Sequence, residues 1–402
     1  MKKNIVYLFA AGMILAFFVA GCGNVDDNPQ LQSDLNNLVS TQWLSYLSQY
    51  PTVEGGVAVF VLTPKGDFFA CASMESGTSS TTTHFRGAST TKTFTAASIM
   101  LLSQQGKLNI DDKITDLIPG SSEAYVPNTV GYAIPYKDQI TIKLILRHRA
   151  GIWDISNSAI PSTAETEYKG QNYISYIEAS DRSHTFTFDE LLGVVATNEL
   201  CYFAPDADYH YSDTGYSLLG KIVERVSGKS YGQFVADNFV TPNNLTASSF
   251  PSTGADQTIP SPFAAGHSLI GGVLYNTTED NMSPHVAEGN LITTASNLGN
   301  WLRGLLNGNA GLNSATIAQM EAQAAVGVYG LGLSYLSGLG YGHDGAHPGY
   351  SSVVRHNPTQ NVTVVVYSNF LTYDSSTAWF NYLHDLGRAA KNVLGYSTAE
   401  AN

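Results

Sequence analysis

The sequence predicts an α/β (α+β) fold: an antiparallel sheet built from both chain termini, covered by helices, with a large mostly helical insertion. Three observations carry this. Compact β-branched runs lie near the start, at Val57–Leu62, and return near the end, at Val362–Phe370. Between them, apolar residues recur at helical spacing. Each apolar face of a sheet needs a cover, so strands from both ends packed as one sheet under helices is the natural arrangement. The 402 residues divide into a leader (1–21), a tether (22–34) and one domain (35–395), whose sheet-building parts are about 35–110 and 328–395 and whose insertion is about 111–327.

Lys2 and Lys3 open the chain, and Ile5 to Ala20 is an unbroken apolar run. These 16 residues fall short of the roughly 30 Å bilayer core, so the run reads as an export signal and not as a span. It ends in Val19-Ala20-Gly21-Cys22, which resembles a bacterial lipobox. Cys22 is therefore expected to carry lipid and to hold an exported chain in the cell envelope, on the periplasmic side or the cell surface. Asn24 to Ser33 is polar and reads as tether.

Leu35 to Gln49 has helical apolar spacing. Val57–Leu62 and Phe68–Ala72 flank the turn Thr63-Pro64-Lys65-Gly66-Asp67 and predict a hairpin. Thr90 to Gln105 predicts a helix stopped by Gly106. Ile110–Leu117 and Ile140–Leu146 read as short helices or turns, and 155–185 as irregular structure with short helices. Tyr216, Leu219, Ile222, Val223 and Val226 form a helical stripe ending at Gly228, and Ala295 to Leu306 gives another helix. Gly330–Leu336, Tyr350–His356 and Val362–Phe370 read as strands, and Ser376–Val393 as the last helix.

Charged residues make up only 13%, and the net charge is −13, which repels a phosphate backbone and excludes a nucleic-acid partner. An oxidising envelope permits a disulfide between Cys71 and Cys201, but free thiols are an equal expectation. His343 and His347 have i, i+4 spacing, yet Pro348 and the nearby glycines argue against a metal-binding helix. No metal and no cofactor are expected.

Ser89-Thr90-Thr91-Lys92 is the one Ser-x-x-Lys in the chain. At a helix start, this spacing places both side chains on one face, about 5–6 Å apart at Cβ. The helix N-terminus favours an oxyanion and disfavours an ammonium, so Lys92 is expected to be neutral near pH 7 and to activate Ser89. No Gly-x-Ser-x-Gly elbow is present, which weighs against an α/β-hydrolase. Phe85 to Ala96 around this motif strongly resembles the active-site segment of the serine β-lactamase and penicillin-binding-protein superfamily. Leu146-Arg147-His148-Arg149-Ala150-Gly151-Ile152 resembles that family's His-x-Ser-Gly-Leu stretch. Tyr211-Ser212-Asp213 resembles its Tyr-x-Asn segment, and His343-Asp344-Gly345 the His-x-Gly form of its third motif.

The resemblance covers about residues 40–395 and is nearest to the class C-like group of β-lactamases, D-alanyl-D-alanine carboxypeptidases and esterases. It implies a β-lactamase/transpeptidase-like fold and a serine hydrolase that forms an acyl-enzyme. It makes Ser89, Lys92 and Tyr211 catalytic. It places Asp213, His343, Gly345 and Ala346 around substrate and oxyanion, the Ser89 and Ala346 N–H groups forming the oxyanion hole. Substrates implied are a peptidoglycan-type peptide, a β-lactam or a small ester, and the only membrane contact is the lipid anchor. A non-catalytic penicillin- or peptidoglycan-binding protein is the rival reading.

Within this frame Tyr211, beside Lys92, is expected to have a lowered phenol pKa; either group can be the primary base. Asp213 suits a helix N-cap equally well, but if it lies near Lys92 it stabilises the ammonium and raises the lysine pKa. Gly345 is expected to admit a substrate backbone. His148 reads as a packed structural histidine, and His84, His267 and His285 receive no role. Where the carboxypeptidases carry a carboxylate-binding Arg after Tyr-Gly-Leu-Gly-Leu, this chain has Ser334; where they carry a hydroxyl residue, it has Ala346; and Asp344 adds negative charge. Weak recognition of free carboxylates is therefore expected unless His343, His347 or Arg355 compensates.

Overall fold

The computed structural model describes residues 28–74 and 80–399. The leader, Cys22 and the first part of the tether lie outside the described residues. Helix α1 (Pro29–Gln49) begins at Pro29 rather than Leu35. The Asn28 side chain accepts from the Leu31 N–H, and Pro29 fills a first-turn position where no N–H is needed. The segment from Pro29 onward is thus helix and not tether.

The hairpin β1 (Val57–Thr63) and β2 (Gly66–Ala72) follows as predicted, then β3 (His84–Ala88) and α2 (Thr91–Gln104). The middle holds α3 (Ile142–Leu146), α4 (Tyr173–Glu178), α5 (Phe188–Thr197), α6 (Asp213–Ser227) and α7 (Tyr231–Val235). Three short strands come next, β4 (His267–Ile270), β5 (Val273–Asn276) and β6 (Leu291–Thr294), before α8 (Ala295–Leu306) and α9 (Ser314–Ala322). The end comprises β7 (Ser334–Leu336), β8 (Gly340–His347), β9 (Tyr350–Asn357), β10 (Val362–Ser368), β11 (Phe370–Thr372) and α10 (Ser376–Val393).

The main sheet has the order β2-β1-β10-β9-β8-β7 and is antiparallel throughout, so strands from both ends meet at the β1–β10 pair. Every residue of β1 is buried, because both faces are covered. Val57, Val59 and Val61 pack with Trp43 of α1 and Trp379 of α10. Ala58, Phe60 and Leu62 point the other way, into the larger core that holds Phe94 of α2 and Trp301 of α8. The period of two along an extended strand makes this division automatic.

The insertion is less purely helical than predicted. It carries β4 and β5, which join β11 in a small sheet, and β6, which pairs with β3. Helix α8 belongs to the cover of the main sheet, since the absent Cβ of Gly299 lets it sit against Leu62 and Val365. The predicted strand at Gly330–Leu336 shortens to β7, and Val362–Phe370 breaks at Asn369 into β10 and β11. The Asn369 side chain explains the break: it accepts from the Gly56 N–H and donates to the Ala265 carbonyl, so it serves two neighbouring segments. Cys71 and Cys201 are not joined in a disulfide. Among the described residues no helix is long and apolar enough to cross a membrane.

Candidate active site

The site begins where β3 ends. Pairing of His84 with Thr294 and of Ala88 with Leu291 fixes that strand end. Ala88 then turns the chain with φ of 51°, a left-handed value that costs a residue with a Cβ. The turn is tied back on itself: the Thr90 hydroxyl donates to the Gly87 carbonyl at 2.8 Å and the Thr91 hydroxyl to the Ala88 carbonyl at 2.7 Å. Strand β8 presses on it from the other side. A Cβ on Gly345 would lie 2.2 Å from the Gly87 carbonyl oxygen and 2.4 Å from Ser352 Oγ. Gly345 is therefore required by the approach of β8 to this turn, and it also lines the cavity where a substrate backbone was expected. Ser89 is left half-buried at the tip of the turn, one residue ahead of the Thr90 cap of α2.

Lys92 is wholly buried, and its Nζ lies 3.1 Å from Ser89 Oγ. The same Nζ lies 2.6 Å from Asp213 Oδ1, 2.8 Å from the Glu288 carbonyl oxygen and 3.4 Å from Glu288 Oε2. These contacts reverse the expected charge. Burial pushes the ammonium down, but Asp213 first, and the other negative groups around it, hold its pKa well above the ordinary lysine value. Lys92 rests as an ammonium. Asp213 is correspondingly held below the carboxylate range, burial raising it and Lys92 lowering it more.

Tyr211 and Asp213 reach the site from the start of α6. Ser212, not Asp213, is the cap, its hydroxyl accepting from the Gly215 N–H at 3.2 Å. Asp213 is thereby free to face Lys92, and its second oxygen accepts from Asn157 Nδ2 at 2.7 Å. Asn157 also donates to Asp154, whose buried carboxyl is pushed up to about 7 by desolvation and by the Asp213 charge. His148 is buried as expected, and its Nδ1 accepts from the Ser212 N–H, which holds this segment in place. The Tyr211 ring lies 4.9 Å from Lys92 Nζ, and its hydroxyl faces Ser89 and Lys92. Its pKa is raised, not lowered, because burial outweighs the attraction of Lys92.

A cavity of about 330 Å³ opens over Ser89. Tyr211, Tyr329, Ser334, His343, Asp344, Gly345, Ala346 and Phe380 complete its lining. His343 lies inside β8, and its Nδ1 faces the Asp344 carbonyl, so that nitrogen donates. Nε2 is then the acceptor, taking the Tyr329 O–H at 2.8 Å. Burial and Lys92 hold this ring down to about 3, so it is neutral. Asp344 does not add the free negative charge expected of it. Its oxygens meet Arg355 at 2.7 Å and His384 at 2.9 Å, and the pair holds its pKa down to about 2 against burial. Arg355 is engaged there, and His347 lies 2.7 Å from Asp280. Neither candidate compensator is available to a substrate. Ala346 is exposed at the rim.

The structure thus brings Ser89, Lys92, Tyr211, Asp213, His343, Gly345 and Ala346 together. Sequence reasoning missed Glu288, Asn157 and His285, the last paired with Glu288 at 2.6 Å. None of them sits in a local pattern that could have marked it.

The sequence model of the β-lactamase family matches residues 47–385. The protein flp of Staphylococcus aureus is 26% identical over 309 residues, covering 72% of this chain and 53% of that protein. The chain spans about half the length of the curated relatives it matches. Among solved structures, the D-amino acid amidase of Ochrobactrum anthropi SV3, complexed with D-phenylalanine, superposes with a TM-score of 0.70 at 19% identity, covering 90% of this chain and 99% of that one. A penicillin-binding protein of Bacillus halodurans gives 0.62 at 20% identity, covering 89% and 99%. Both structural likenesses show a shared fold.

Proposed function

This chain belongs to the β-lactamase family of serine hydrolases, and from that premise we propose that it cleaves uncharged esters and amides through an acyl-enzyme on Ser89. The observation that carries the reading is the Ser89 hydroxyl, half-buried at the cavity floor with Lys92 Nζ at 3.1 Å. The preference for uncharged substrates rests on the lining. Its acid, Asp344, is neutralised by Arg355 and His384, and its histidine is neutral. A substrate carboxylate entering there would lose water and find no cation but Lys92, which already faces two carboxylates. That a structural neighbour is a D-amino acid amidase agrees with an amide substrate. The envelope setting implied by the leader and Cys22 is part of the same proposal.

The test is a ratio of kcat/KM values. A charge-assisted hydrogen bond is worth about 1.5–3 kcal/mol, so lacking two carboxylate partners costs about two to four orders of magnitude. A p-nitrophenyl acyl ester is expected to exceed a D-Ala-D-Ala peptide by that factor. A preference for the free-carboxylate peptide would sink the substrate assignment. A stable adduct without turnover would favour a binding protein instead.

In this mechanism Ser89 attacks the carbonyl carbon, Lys92 and Tyr211 handle its proton, and water later releases the acyl group. The Ser89 and Ala346 N–H groups are the proposed oxyanion donors, each worth about 3–4 kcal/mol. The resting ammonium has a consequence for pH dependence. Lys92 accepts a proton only after losing one, and to the extent that solvent takes that proton, activity rises with pH toward the elevated pKa. Asp213→Asn removes the carboxylate 2.6 Å away, and the lysine pKa falls. The rising limb of the kcat/KM profile is expected to move from alkaline pH toward neutral, with roughly tenfold more neutral lysine at pH 7 for each unit of the shift. A profile that stays in place would reduce Asp213 to a packing role.

A further inference from the structure

Glu288 lies just ahead of β6, with its side chain 3% exposed, and is not part of the cavity lining. Its two oxygens have different partners. Oε1 accepts from His285 Nδ1 at 2.6 Å, whereas Oε2 faces Lys92 Nζ at 3.4 Å. Oε1 answers His285, which Glu288 raises to about 9 against burial, so the carboxylate stands between two cations and only Oε2 is turned to the lysine. The chemistry proposed above leaves a need unmet: Lys92 rests with all its protons and cannot take one from Ser89 until it has given one away.

We propose that Glu288 is the acceptor for the proton that Lys92 sheds before it deprotonates Ser89. This rests on the Ser89–Lys92 reading above. An N–H bond of Lys92 breaks as an O–H bond forms on Glu288 Oε2. The freed lone pair on Nζ takes the Ser89 proton as Oγ bonds to the substrate carbonyl carbon. When the tetrahedral adduct collapses, Lys92 returns a proton through Tyr211 to the leaving group, and Glu288 returns its own to Lys92. No proton is gained or lost over the step, and water repeats the cycle in deacylation.

Asp213 is the poorer acceptor although it is closer. Its second oxygen is held by Asn157, and its carboxyl sits below the usual range. Glu288 sits above it: burial and the Asp213 charge push it up more than Lys92 and His285 pull it down. The groups that bear on Glu288 are Lys92 from α2, Asp213 from α6, Asp154 from the loop after α3 and His285 from its own segment. Asp280 and, from β8, His347 act on His285 behind it.

The experiment is the pre-steady-state burst of p-nitrophenyl acetate at pH 6–9 in mixtures of light and heavy water. The unmodified chain is expected to give a bowed proton inventory, since two protons move together. Glu288→Gln keeps the shape but accepts no proton. It is expected to slow acylation about 100-fold with substrate affinity unchanged. Its rate is expected to rise about tenfold per pH unit, because only lysine deprotonated by solvent then acts. Glu288→Asp, which keeps the acid, is expected to restore the shallower profile of the unmodified chain. A linear inventory, or a Glu288→Gln profile parallel to that of the unmodified chain, overturns the proposal and leaves Glu288 a counter-charge. The inventory decides even if the glutamine variant fails to fold. An unmodified chain with no burst and no added mass on Ser89 removes the underlying reading, and this proposal with it.

Discussion

Ser89→Ala is expected to abolish covalent labelling by a fluorophosphonate and to lower ester turnover by about five to six orders of magnitude. The size follows from losing the one atom that forms the acyl bond; lysine, tyrosine and oxyanion donors retain little to act on. Stability should hardly change. Ser89 Oγ accepts one hydrogen bond from Lys92, and Lys92 keeps Asp213 and Glu288 as partners. A single such bond is worth about 1 kcal/mol, so the denaturation midpoint should stay close to that of the unmodified chain. Ser334, the other serine lining the cavity, sits 3.4 Å from the Gly342 carbonyl instead of beside an amine. Intact-mass analysis after labelling decides the matter. Label retained by a folded Ser89→Ala chain would place the nucleophile elsewhere, with Ser334 the first alternative.

Much of the fold was legible because its cause is local. The α6 stripe and Gly228, in the left-handed conformation at φ 71°, mark the helix and its stop within the chain itself. The boundaries of α8 and α10 follow from the same periodicity, and β1 from its compact apolar run rich in valine. The short strands were hidden for the opposite reason. Strands β3 and β6 are defined by pairing with each other across a long stretch of chain, and a four-residue run carries no period of its own. Strand β8 holds Gly340, Gly342 and Gly345, a composition that reads as loop until β9 is placed beside it.

The site divides along the same line. Ser89, Lys92, Tyr211 and Asp213 could be found because each lies in a short motif. Their charges could be read only conditionally, since the sequence does not itself place Asp213 beside Lys92. The helix dipole argued for a neutral Lys92, but Asp213 and Glu288, distant in sequence, outweigh it. Tyr211 was judged by the lysine beside it, while the burial that decides its pKa depends on the whole fold. Asp344 was read as a free charge because nothing near it in sequence announces His384.

Replacing Lys92 with Met is expected to cost both activity and fold. Acylation should fall by several orders of magnitude, since the proposed base is gone while the volume is kept. The stability loss has a separate origin. Asp213 and Glu288 are buried, with side chains 11% and 3% exposed; without Nζ Asp213 becomes a carboxylate lacking its cation, and Glu288 keeps only His285. Breaking a buried pair by removing one partner costs about 3–5 kcal/mol. The sign of its pH dependence follows from linkage. In the unmodified chain the Asp213 carboxyl is lowered, so its stabilisation is present above the unfolded pKa and lost as pH falls through the folded one. In Lys92→Met burial acts alone, and the carboxyl is raised. The folded state then binds the proton more tightly, and stability falls as pH rises from the unfolded pKa toward the folded one. The gap in denaturation midpoint between the two chains should therefore be already open near pH 4.5, from the unmodified chain's lowered carboxyl, and should widen further by pH 8 as the variant's raised carboxyl is forced to ionise. Neutralising Asp213 as well, in Lys92→Met/Asp213→Asn, removes the carboxylate left without its cation, while Glu288 keeps His285. That double variant should recover most of the stability at pH 8 while remaining inactive. If Lys92→Met unfolds at the same midpoint as the unmodified chain at both pH values, the two carboxylates are not held by the lysine charge, and the resting ammonium on which the pH argument depends would have to be abandoned.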